Sequence, residues 1–287
     1  MSLKHLLIML ARCLAPVAAA LALGACTNGG AITTGGGGKG CGMAITSPEG
    51  LWIGSGRFVG AAAGDNVIGM IGPSDLLVLD VTGTDPLNAP LPGAFWFGNY
   101  SGTGGTFTKY AGGGPPEGGG TLSIGLNAYL NLALGSGSAL ISMCPISSTL
   151  GSLYDRPTTD AAGNDFIVGT WQFTISGGQT PYTVTYTFGA DGSILGQDTQ
   201  GCTYSGSWTA QPKHKNLYHI EGMSLTGVNN ACNGTDGNGN PVIFDDPNGG
   251  YNGFAIFFDS NVTQAPQTLW TAVANGQAAF FTKLTRQ

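Results

Sequence analysis

Few side chains in this sequence are suited to catalysis. His214 lies between Lys213 and Lys215, as expected for an exposed turn, and His219 lies in a segment whose alternation allows either face. The sequence has no Gly-x-Ser-x-Gly, no His-Glu-x-x-His and no phosphate-binding glycine loop. We therefore expect no catalytic residue, no cofactor and no enzyme. A pair of carboxylates that meets only in space, as in glycoside hydrolysis, stays open at this point.

One loop has side-chain oxygens spaced as in a calcium site. Asp236, Asn238 and Asn240 alternate with glycines, and two further aspartates follow. Such oxygens suit Ca²⁺, but an EF-hand loop needs a glutamate at its twelfth position, where this chain has Pro247. No flanking helix is predicted. We therefore favour a polar hairpin loop over a metal site.

The first 25 residues have the parts of an export signal. Lys4 and His5 precede an apolar run that continues with small residues. Arg12 interrupts this run, and the uninterrupted part is shorter than the roughly 20 residues needed to span a bilayer. The sequence therefore predicts a cleaved signal peptide at residues 1–25.

A cysteine stands where this signal ends. Leu23-Gly24-Ala25-Cys26 resembles the lipobox of bacterial lipoproteins. The resemblance implies cleavage before Cys26, lipidation of that residue with three acyl chains, and stable anchoring in a membrane. Because Thr27 follows instead of aspartate, it also implies the outer membrane. The alternative is an ordinary secretory signal in which Cys26 is incidental.

Four cysteines remain if Cys13 leaves with the signal and Cys26 carries lipid. An even number in an exported chain indicates two disulfides. Three pairings are possible, and proximity in sequence favours Cys41–Cys144 with Cys202–Cys232. Metal ligation is the rival, but no Cys-x-x-Cys spacing supports it.

Composition excludes some classes of protein. Charged residues make up only 9% of the 287 residues, whereas 50 are glycine. Without Lys4 and Arg12, 8 basic residues stand against 16 acidic ones, so the net charge after Cys26 is about −8. An acidic chain poor in lysine lacks the basic footprint that nucleic acid requires. We expect no nucleic-acid partner.

Glycine-rich turns divide the chain into many short strands. Residues 26–48, with four consecutive glycines, predict the lipidated cysteine and a flexible tether. Strand patterns occur in residues 49–148 and again in residues 167–287, and these two regions are joined by the polar linker 149–166. Each half holds about eight strands, the number at which a meander can close into a small barrel. The predicted fold is all-β: two tandem antiparallel β-barrels.

A Gly-x-Trp motif opens both halves. Gly50-Leu51-Trp52 and Gly169-Thr170-Trp171 suit a tryptophan that plugs one end of a barrel, with a glycine that admits another backbone. Lipocalin-like barrels begin in this way and often place an arginine over that tryptophan. This resemblance implies Arg286 for the second barrel and Arg156 for the first. The alternative is coincidence.

The half that begins at Ser152 is similar to a group of uncharacterised proteobacterial outer-membrane lipoproteins with small lipocalin-like barrels. The likeness rests on residues 152–157, 191–194, 201–206 and 279–286. It implies an exported, lipidated β-protein and no particular activity. The insert 234–250 has no counterpart in this pattern.

Aromatic residues complete the expectations about function. We expect the following aromatics to fill the barrels: Phe95, Phe97, Tyr182, Tyr186, Phe254, Phe280 and Phe281. Trp96 is expected to lie outside as a candidate partner contact, and packing between the barrels is the alternative. The predicted function is non-catalytic binding of an envelope protein or polysaccharide, a class that includes inhibitors and immunity proteins. A carrier of a small apolar ligand inside a barrel and a hydrolase with a carboxylate pair are the alternatives.

Overall fold

The computed structural model describes residues 41, 45–57, 65–80, 94–111, 115–135, 139–145, 147–148, 151–152, 154–155, 165–175, 182–210, 215–228, 232–235, 241–258 and 267–287. All regular elements within these residues are β-strands, and none of their segments forms a helix long and apolar enough to cross a membrane. The predicted signal peptide lies outside the described residues, and so do other residues named above: Cys26, Thr27, Arg156, Lys213, His214, Asp236, Asn238 and Asn240.

The first eight strands form a closed antiparallel barrel. Each strand pairs with the next one in sequence, and the first strand pairs with the eighth to close the barrel. The strands are β1 (Gly50–Arg57), β2 (Asp65–Ile71), β3 (Asp75–Asp80), β4 (Ala94–Ser101), β5 (Gly104–Ala111), β6 (Pro116–Leu126), β7 (Leu130–Leu134) and β8 (Ala139–Pro145).

A second closed barrel follows a short two-stranded sheet made by β9 (Ser147–Ser148) and β10 (Gly151–Ser152). Its strands are β11 (Gly169–Ile175), β12 (Tyr182–Phe188), β13 (Ser193–Asp198), β14 (Cys202–Ala210), β15 (Tyr218–Gly227), β18 (Asp246–Phe258), β19 (Thr268–Ala274) and β20 (Ala279–Arg286). A small hairpin of β16 (Asn233–Thr235) and β17 (Pro241–Ile243) is inserted between β15 and β18. The predicted fold class is confirmed.

Local sequence explains the pairing of β12 with β13. Asp191-Gly192 lies in the turn, where Gly192 has φ +85°, a backbone conformation that favours glycine. The Asp191 carboxylate accepts hydrogen bonds from the backbone N–H and the hydroxyl of Ser193, and these bonds lower the pKa of Asp191. The hairpin predicted from this dipeptide therefore sets the register of the two strands.

Large side chains fill the interior of the first barrel. Every second residue of its strands points inward, as the burial pattern of β7 shows. The inward residues form one buried cluster: Trp52, Val67, Ile71, Leu76, Val78, Trp96, Tyr100, Leu122, Ile124, Leu130, Leu132, Leu134, Ile141 and Met143.

The second barrel is packed in the same way and is richer in aromatic residues. Its cluster includes Trp171, Tyr186, Phe188, Tyr204, Trp208, Tyr218, Tyr251 and Phe257, all less than 9% exposed. Thr271 and Thr282 are buried and hydrogen-bonded to each other, so each of these polar groups has a partner. Both interiors are occupied by side chains at the positions that the structure describes.

A third buried cluster joins the two barrels. Strands β3 and β19 are buried on both faces, because one face lies in a barrel and the other contacts the neighbouring barrel. The cluster contains Leu51, Ile68, Met70, Leu77, Leu79, Phe95 and Tyr110 of the first barrel and Leu217, Phe254, Ile256, Trp270, Ala272, Ala274, Ala279 and Phe281 of the second.

Two disulfides connect the cysteines in the pairing that sequence proximity favours. Cys41 is bonded to Cys144 with their Cα atoms 5.3 Å apart, so the segment before β1 is joined to the end of β8. Cys202 is bonded to Cys232 with a Cα separation of 4.9 Å, which attaches the inserted hairpin to β14. Each barrel therefore contains one covalent crosslink.

Candidate functional site

Trp171 lies at the start of the second barrel beneath the side chain of Arg286. Its indole N–H donates to the carbonyl of Ile167 at 2.7 Å. The Arg286 guanidinium carbon lies 5.3 Å from the centroid of the Trp171 ring, within cation–π distance. This is the arrangement that the lipocalin resemblance implied for the second barrel.

Backbone carbonyls hold the Arg286 guanidinium in place. Its Nη2 donates to the carbonyl of Val168 at 2.7 Å, and its Nη1 donates to the Gln267 side chain at 2.9 Å and to the carbonyl of Phe166 at 3.4 Å. Gly169 has φ +138°, and a Cβ there would lie 3.1 Å from Nη2. The glycine makes room for this side chain, whereas the sequence had suggested the approach of a backbone.

Trp52 occupies the corresponding place in the first barrel. Its indole N–H donates to the carbonyl of Pro48, four residues earlier, as Trp171 donates to Ile167. The strand partner differs, because Trp171 pairs with Arg286 but Trp52 pairs with Pro145. The arginine of the second barrel therefore has a proline as its counterpart in the first.

A cleft of about 270 Å³ opens beside Trp52. Polar side chains on its wall come from the segment before β1 and from the linker after β10, including Ser47, Glu49 and Asp155. The full lining is Ile45, Thr46, Ser47, Glu49, Gly50, Leu51, Trp52, Pro145, Tyr154 and Asp155. The first barrel thus has a cleft beside its Gly-x-Trp motif.

The linker residues of this cleft are fixed by the second barrel. The backbone N–H of Asn216 donates to the carbonyl of Tyr154 at 3.1 Å, and Lys215 forms an ion pair with Asp155 while lying 5.4 Å from the Tyr154 ring centroid. Burial, with the nearby Glu49 and Asp155 charges, raises the pKa of Tyr154. Within the described part of the chain, the buried Tyr154 hydroxyl has no hydrogen-bond partner.

His219 bridges the two barrels. Its Nε2 lies 2.8 Å from the Asp75 carboxylate at the start of β3, and its Nδ1 lies 2.8 Å from the Glu221 carboxylate on its own strand. The Asp75 hydrogen bond is the largest cause of a raised His219 pKa. The ring also packs 5.5 Å from that of Phe254. No nucleophile lies in this group, which serves as an ion pair between the barrels.

Part of the outer surface of strands β11 to β15 carries mostly neutral polar side chains, whereas His219 and Glu221 lie elsewhere on β15. Strand register places them in two transverse rows, each crossing all five strands. The first row is Thr170, Thr187, Leu195, Ser205 and Ser224, and the second is Gln172, Thr185, Gln197, Thr203 and Thr226. We call these ten residues the hydroxyl face. Strands lie about 4.8 Å apart, so each row spans roughly 19 Å.

Hydroxyl groups of this face pair across strands. Ser205 and Ser224 hydroxyls lie 2.7 Å apart, and the Gln172 amide donates to the Thr185 hydroxyl at 3.3 Å. Leu195 is 60% exposed near the middle of the face. Because each hydroxyl has one donor and two acceptor lone pairs, such pairing orients the group and leaves acceptor capacity free.

The expected position of Trp96 was wrong. This residue is 4% exposed and lies inside the first barrel, whereas Phe95 and Phe97, which were expected inside, pack in the cluster between the barrels. Phe254 and Phe281, also expected inside, belong to the same inter-barrel cluster. The alternative, in which aromatics of this motif pack between the barrels, is therefore correct for Phe95 and Phe97. The outer surface of β4 is as apolar as its inner surface.

The aspartates that follow the weak calcium candidate have structural hydrogen bonds. Asp245 accepts from the backbone N–H of Gly227 at 3.1 Å, and Asp246 accepts from the side chain of Asn275 at 2.8 Å. Among the described residues, no group of three or more histidine, cysteine or acidic side chains has the geometry of a metal site.

Another acidic residue, Asp198, closes one end of the second barrel. Its carboxylate accepts from the hydroxyls of Tyr182 at 3.0 Å and Tyr204 at 3.1 Å and from the backbone N–H of Cys202 at 2.9 Å. Burial raises the pKa of Tyr182 to about 12. The cluster is fully hydrogen-bonded and lies beside the disulfide, so its role is structural.

Comparisons with known proteins add little to this description. No protein-family model and no curated protein matches the chain. A Bacteroides fragilis protein provisionally described as an outer membrane protein, with a crystal structure at 2.40 Å, shares 15% identity over 83% of this chain and 96% of its own, at a TM-score of 0.18. So low a score does not define a shared fold.

Proposed function

We propose that this protein is a non-catalytic lipoprotein of the cell envelope, anchored through Cys26, that binds a neutral polysaccharide through the hydroxyl face. The observation that carries the proposal is the pair of uncharged rows that cross five strands of the second barrel. Solvent-exposed protein surface normally intersperses charges of both signs. A continuous neutral surface of this extent suits a partner that is itself neutral and rich in hydroxyls.

The chemistry of the face fits sugars. Threonine and serine hydroxyls and glutamine amides both donate and accept hydrogen bonds, as sugar hydroxyls do. Leu195, 60% exposed between Thr187 and Ser205, offers apolar contact to the C–H surface of a sugar ring. Large aromatic and arginine anchors typical of protein–protein hot spots are absent from these two rows.

Filled barrel interiors argue against a carrier. A cavity able to hold a small apolar ligand needs small side chains around it, whereas the described interior positions carry tryptophan, tyrosine, phenylalanine, leucine and methionine. The volume that a carrier would use is occupied by these side chains.

The alternative function, a hydrolase with a carboxylate pair, has one candidate pair of residues. Glu49 and Asp155 line the same cleft beside Trp52. However, Lys215 forms an ion pair with Asp155. One of the two carboxylates is therefore already held by a cation of the protein itself. We therefore retain the non-catalytic proposal.

Binding of the soluble chain 27–287 to immobilised neutral glucan and to acidic alginate tests the proposal. We expect binding to the neutral polymer and at least tenfold weaker binding after Leu195→Glu or Thr203→Glu, since each places a charge in the centre of the face. Thr121→Glu, at an exposed position of β6, is the matched control. Unchanged binding in both face variants, or capture of a stoichiometric envelope protein without glucan binding, would overturn the proposal.

A further inference from the structure

Asparagine followed by glycine recurs in this chain, and each such pair is a candidate for a reaction of the chain with itself. The backbone nitrogen of the glycine can attack the side-chain carbonyl carbon of the asparagine, because glycine has no Cβ to block the approach. The sequence contains six of these pairs. The structure describes both residues in four of them: Asn233-Gly234, Asn248-Gly249, Asn252-Gly253 and Asn275-Gly276. The contacts of these four pairs decide which of them can react in the folded protein.

Two of the four pairs are held in strand ladders. In Asn233-Gly234 and in Asn252-Gly253 the glycine has a ladder partner on a neighbouring strand. The Asn252 side chain is also engaged, since its oxygen accepts from the backbone N–H of Gly222 at 3.1 Å and its amide donates to the carbonyl of Gly250 at 3.0 Å. Attack by the glycine nitrogen requires the backbone to leave the ladder, which only local unfolding allows.

A third pair, Asn275-Gly276, forms the turn between β19 and β20 and is fixed by hydrogen bonds. The backbone N–H of Gly276 donates to the Tyr110 hydroxyl of the first barrel at 3.1 Å. The Asn275 side-chain oxygen accepts from the backbone N–H groups of the two residues after the glycine, at 3.0 and 2.9 Å, and its amide donates to Asp246 at 2.8 Å. Both reacting groups of this pair are therefore engaged.

The fourth pair, Asn248-Gly249, lies in a bulge of β18. The register of β15 with β18 passes from Tyr251 to Asp246, so residues 247–250 between them have no ladder partner. Asn248 is exposed, and among the described residues no partner holds its side-chain amide. Gly249 has φ +71°, in the left-handed region that favours glycine. In this pair both the attacking nitrogen and the side chain lie outside the ladders that restrain the other strand pairs.

We propose that Asn248-Gly249 is a self-modification site, at which the folded chain converts Asn248 to aspartate and isoaspartate without an enzyme. The Gly249 backbone nitrogen bonds to Cγ of Asn248, the Cγ–Nδ2 bond breaks, and the amide nitrogen leaves as ammonia with the proton of the Gly249 N–H. Water then opens the cyclic imide. Cleavage of the new N–Cγ bond gives aspartate, whereas cleavage of the original peptide bond leaves the chain linked through the side chain, as isoaspartate.

The conversion adds a negative charge to the second barrel beside Asp246. The Asp246 carboxylate accepts from the backbone N–H of Asn248 at 3.1 Å and from the Asn275 side chain at 2.8 Å. A second carboxylate close to this group adds like-charge repulsion, and isoaspartate also lengthens the backbone inside the bulge. Because ammonia leaves, the change is irreversible, and the modified fraction grows with the age of the protein. The proposal does not depend on polysaccharide binding.

The test incubates the folded soluble chain 27–287 at neutral and at mildly alkaline pH and maps its peptides by mass spectrometry, with a methyltransferase specific for isoaspartate as the label. We expect labelling at Asn248 to be about tenfold or more faster than at Asn233, Asn252 or Asn275, because reaction at those positions requires local opening. The rate should rise with pH, since the attacking nitrogen must lose its proton. Equal rates at the four positions, or a faster rate at one of the other three, would overturn the proposal.

Two controls separate the structural cause from the local sequence. In urea the four rates should differ by less than about threefold, because unfolding removes the contacts that distinguish the pairs; a preference for Asn248 that persists in urea would refute the role of the bulge. Asn248→Gln keeps the amide but moves its carbonyl one carbon further along the side chain, so labelling at this position should disappear. Asn233→Gln is the matched control and should leave the rate at Asn248 unchanged. Labelling of the same peptide in the Asn248→Gln variant would assign the reaction to another residue.

Discussion

Replacing His219 with glutamine should weaken the contact between the two barrels, and the effect should depend on pH. In the folded protein both ring nitrogens of His219 lie 2.8 Å from carboxylate oxygens, those of Asp75 and Glu221. A neutral imidazole has one N–H and one lone pair, so it satisfies only one of these acceptors. The imidazolium has two N–H groups and satisfies both. The geometry therefore favours the protonated form.

The sign of the pH dependence follows from the raised pKa. Asp75 and Glu221 raise the pKa of His219 above its ordinary value of 6.5 against the opposing effect of burial. The folded protein then binds the proton more tightly than the unfolded chain does. The resulting stability is fully present below about pH 6.5 and is lost as the pH rises through the folded-state pKa.

The side chains of His219 and Asp75 are 21% and 23% exposed, and this partial burial sets the magnitude of their coupling energy. An exposed ion pair contributes about 0.2–1 kcal/mol, whereas breaking a buried one costs about 3–5 kcal/mol. Between these limits we expect a coupling energy of about 1–2 kcal/mol at pH 5.5, falling below about 0.5 kcal/mol at pH 9. Glu221 is half exposed, so Glu221→Gln should cost less than about 0.5 kcal/mol.

A double-mutant cycle measures this coupling. Urea unfolding of the wild type, Asp75→Asn, His219→Gln and the double variant at both pH values gives the interaction free energy without the other effects of each substitution. A coupling energy that is the same at pH 5.5 and pH 9, or one that grows as the pH rises, would refute the assignment of an imidazolium between the barrels.

Three further outcomes follow from the described contacts. Arg286→Met should destabilise the second barrel by about 3 kcal/mol, because two short hydrogen bonds and the contact over Trp171 are lost. Urea unfolding measures this loss of stability, and an intermediate loss in Arg286→Lys would show the role of the guanidinium fork. Removing Cys41–Cys144 should cost about 1 kcal/mol more than removing Cys202–Cys232, since the sequence separations are 103 and 30, and equal unfolding midpoints would contradict this. Cys26→Ser should release the protein from membranes in a fractionation experiment, and unchanged membrane association would end the anchor hypothesis.

Strict alternation made parts of the second barrel predictable. In β12 the residues Val184, Tyr186 and Phe188 alternate with threonines, and the structure buries the first set and turns the threonines outward. The outer surface there meets solvent, so a polar residue occupies every second position. The hydroxyl face follows from this rule strand by strand, although its two rows appear only once the register is known.

The contact between the barrels was only an alternative interpretation of the sequence, because it removes this alternation. Leu76-Leu77-Val78-Leu79 in β3 is apolar on both faces, and Leu269 to Ala274 in β19 is nearly so. Such runs indicate a strand buried on both sides. The apolar runs in β3 and β19 were the sequence signal for a second buried surface. Phe95-Trp96-Phe97 also has no polar residue, so the sequence did not show which of these side chains points into the barrel.

The cleft beside Trp52 brings together residues that are far apart in the sequence, so no local sequence pattern predicts it. Glu49 and Tyr154 are more than a hundred residues apart, and Tyr154 reaches the cleft because Asn216 holds its backbone. The repeated Gly-x-Trp motif lies on the first strand of each barrel. It did not show that Pro145 would stand opposite one and Arg286 opposite the other.

The cluster between the barrels also predicts how each half behaves alone. Residues 167–287 without the first barrel would expose eight side chains of this cluster, including Phe254, Ile256, Trp270 and Phe281. Burial of four large apolar side chains stabilises by on the order of 10 kcal/mol, so their exposure favours aggregation or self-association. We expect the isolated half to dimerise or precipitate and to bind an apolar dye that the whole chain does not bind.

A matched variant makes this prediction specific. Replacing Phe254 and Trp270 by lysine in the isolated half removes the largest apolar groups from the exposed surface, and it should yield a monomer in sedimentation. The same pair of substitutions in the whole chain should instead destabilise it, because the charges would be buried against the first barrel. If the unmodified half is a stable monomer, the cluster does not hold the barrels together. The two barrels would then move as separate units, and the histidine contact and the cleft beside Trp52 would lose the fixed neighbours on which both depend.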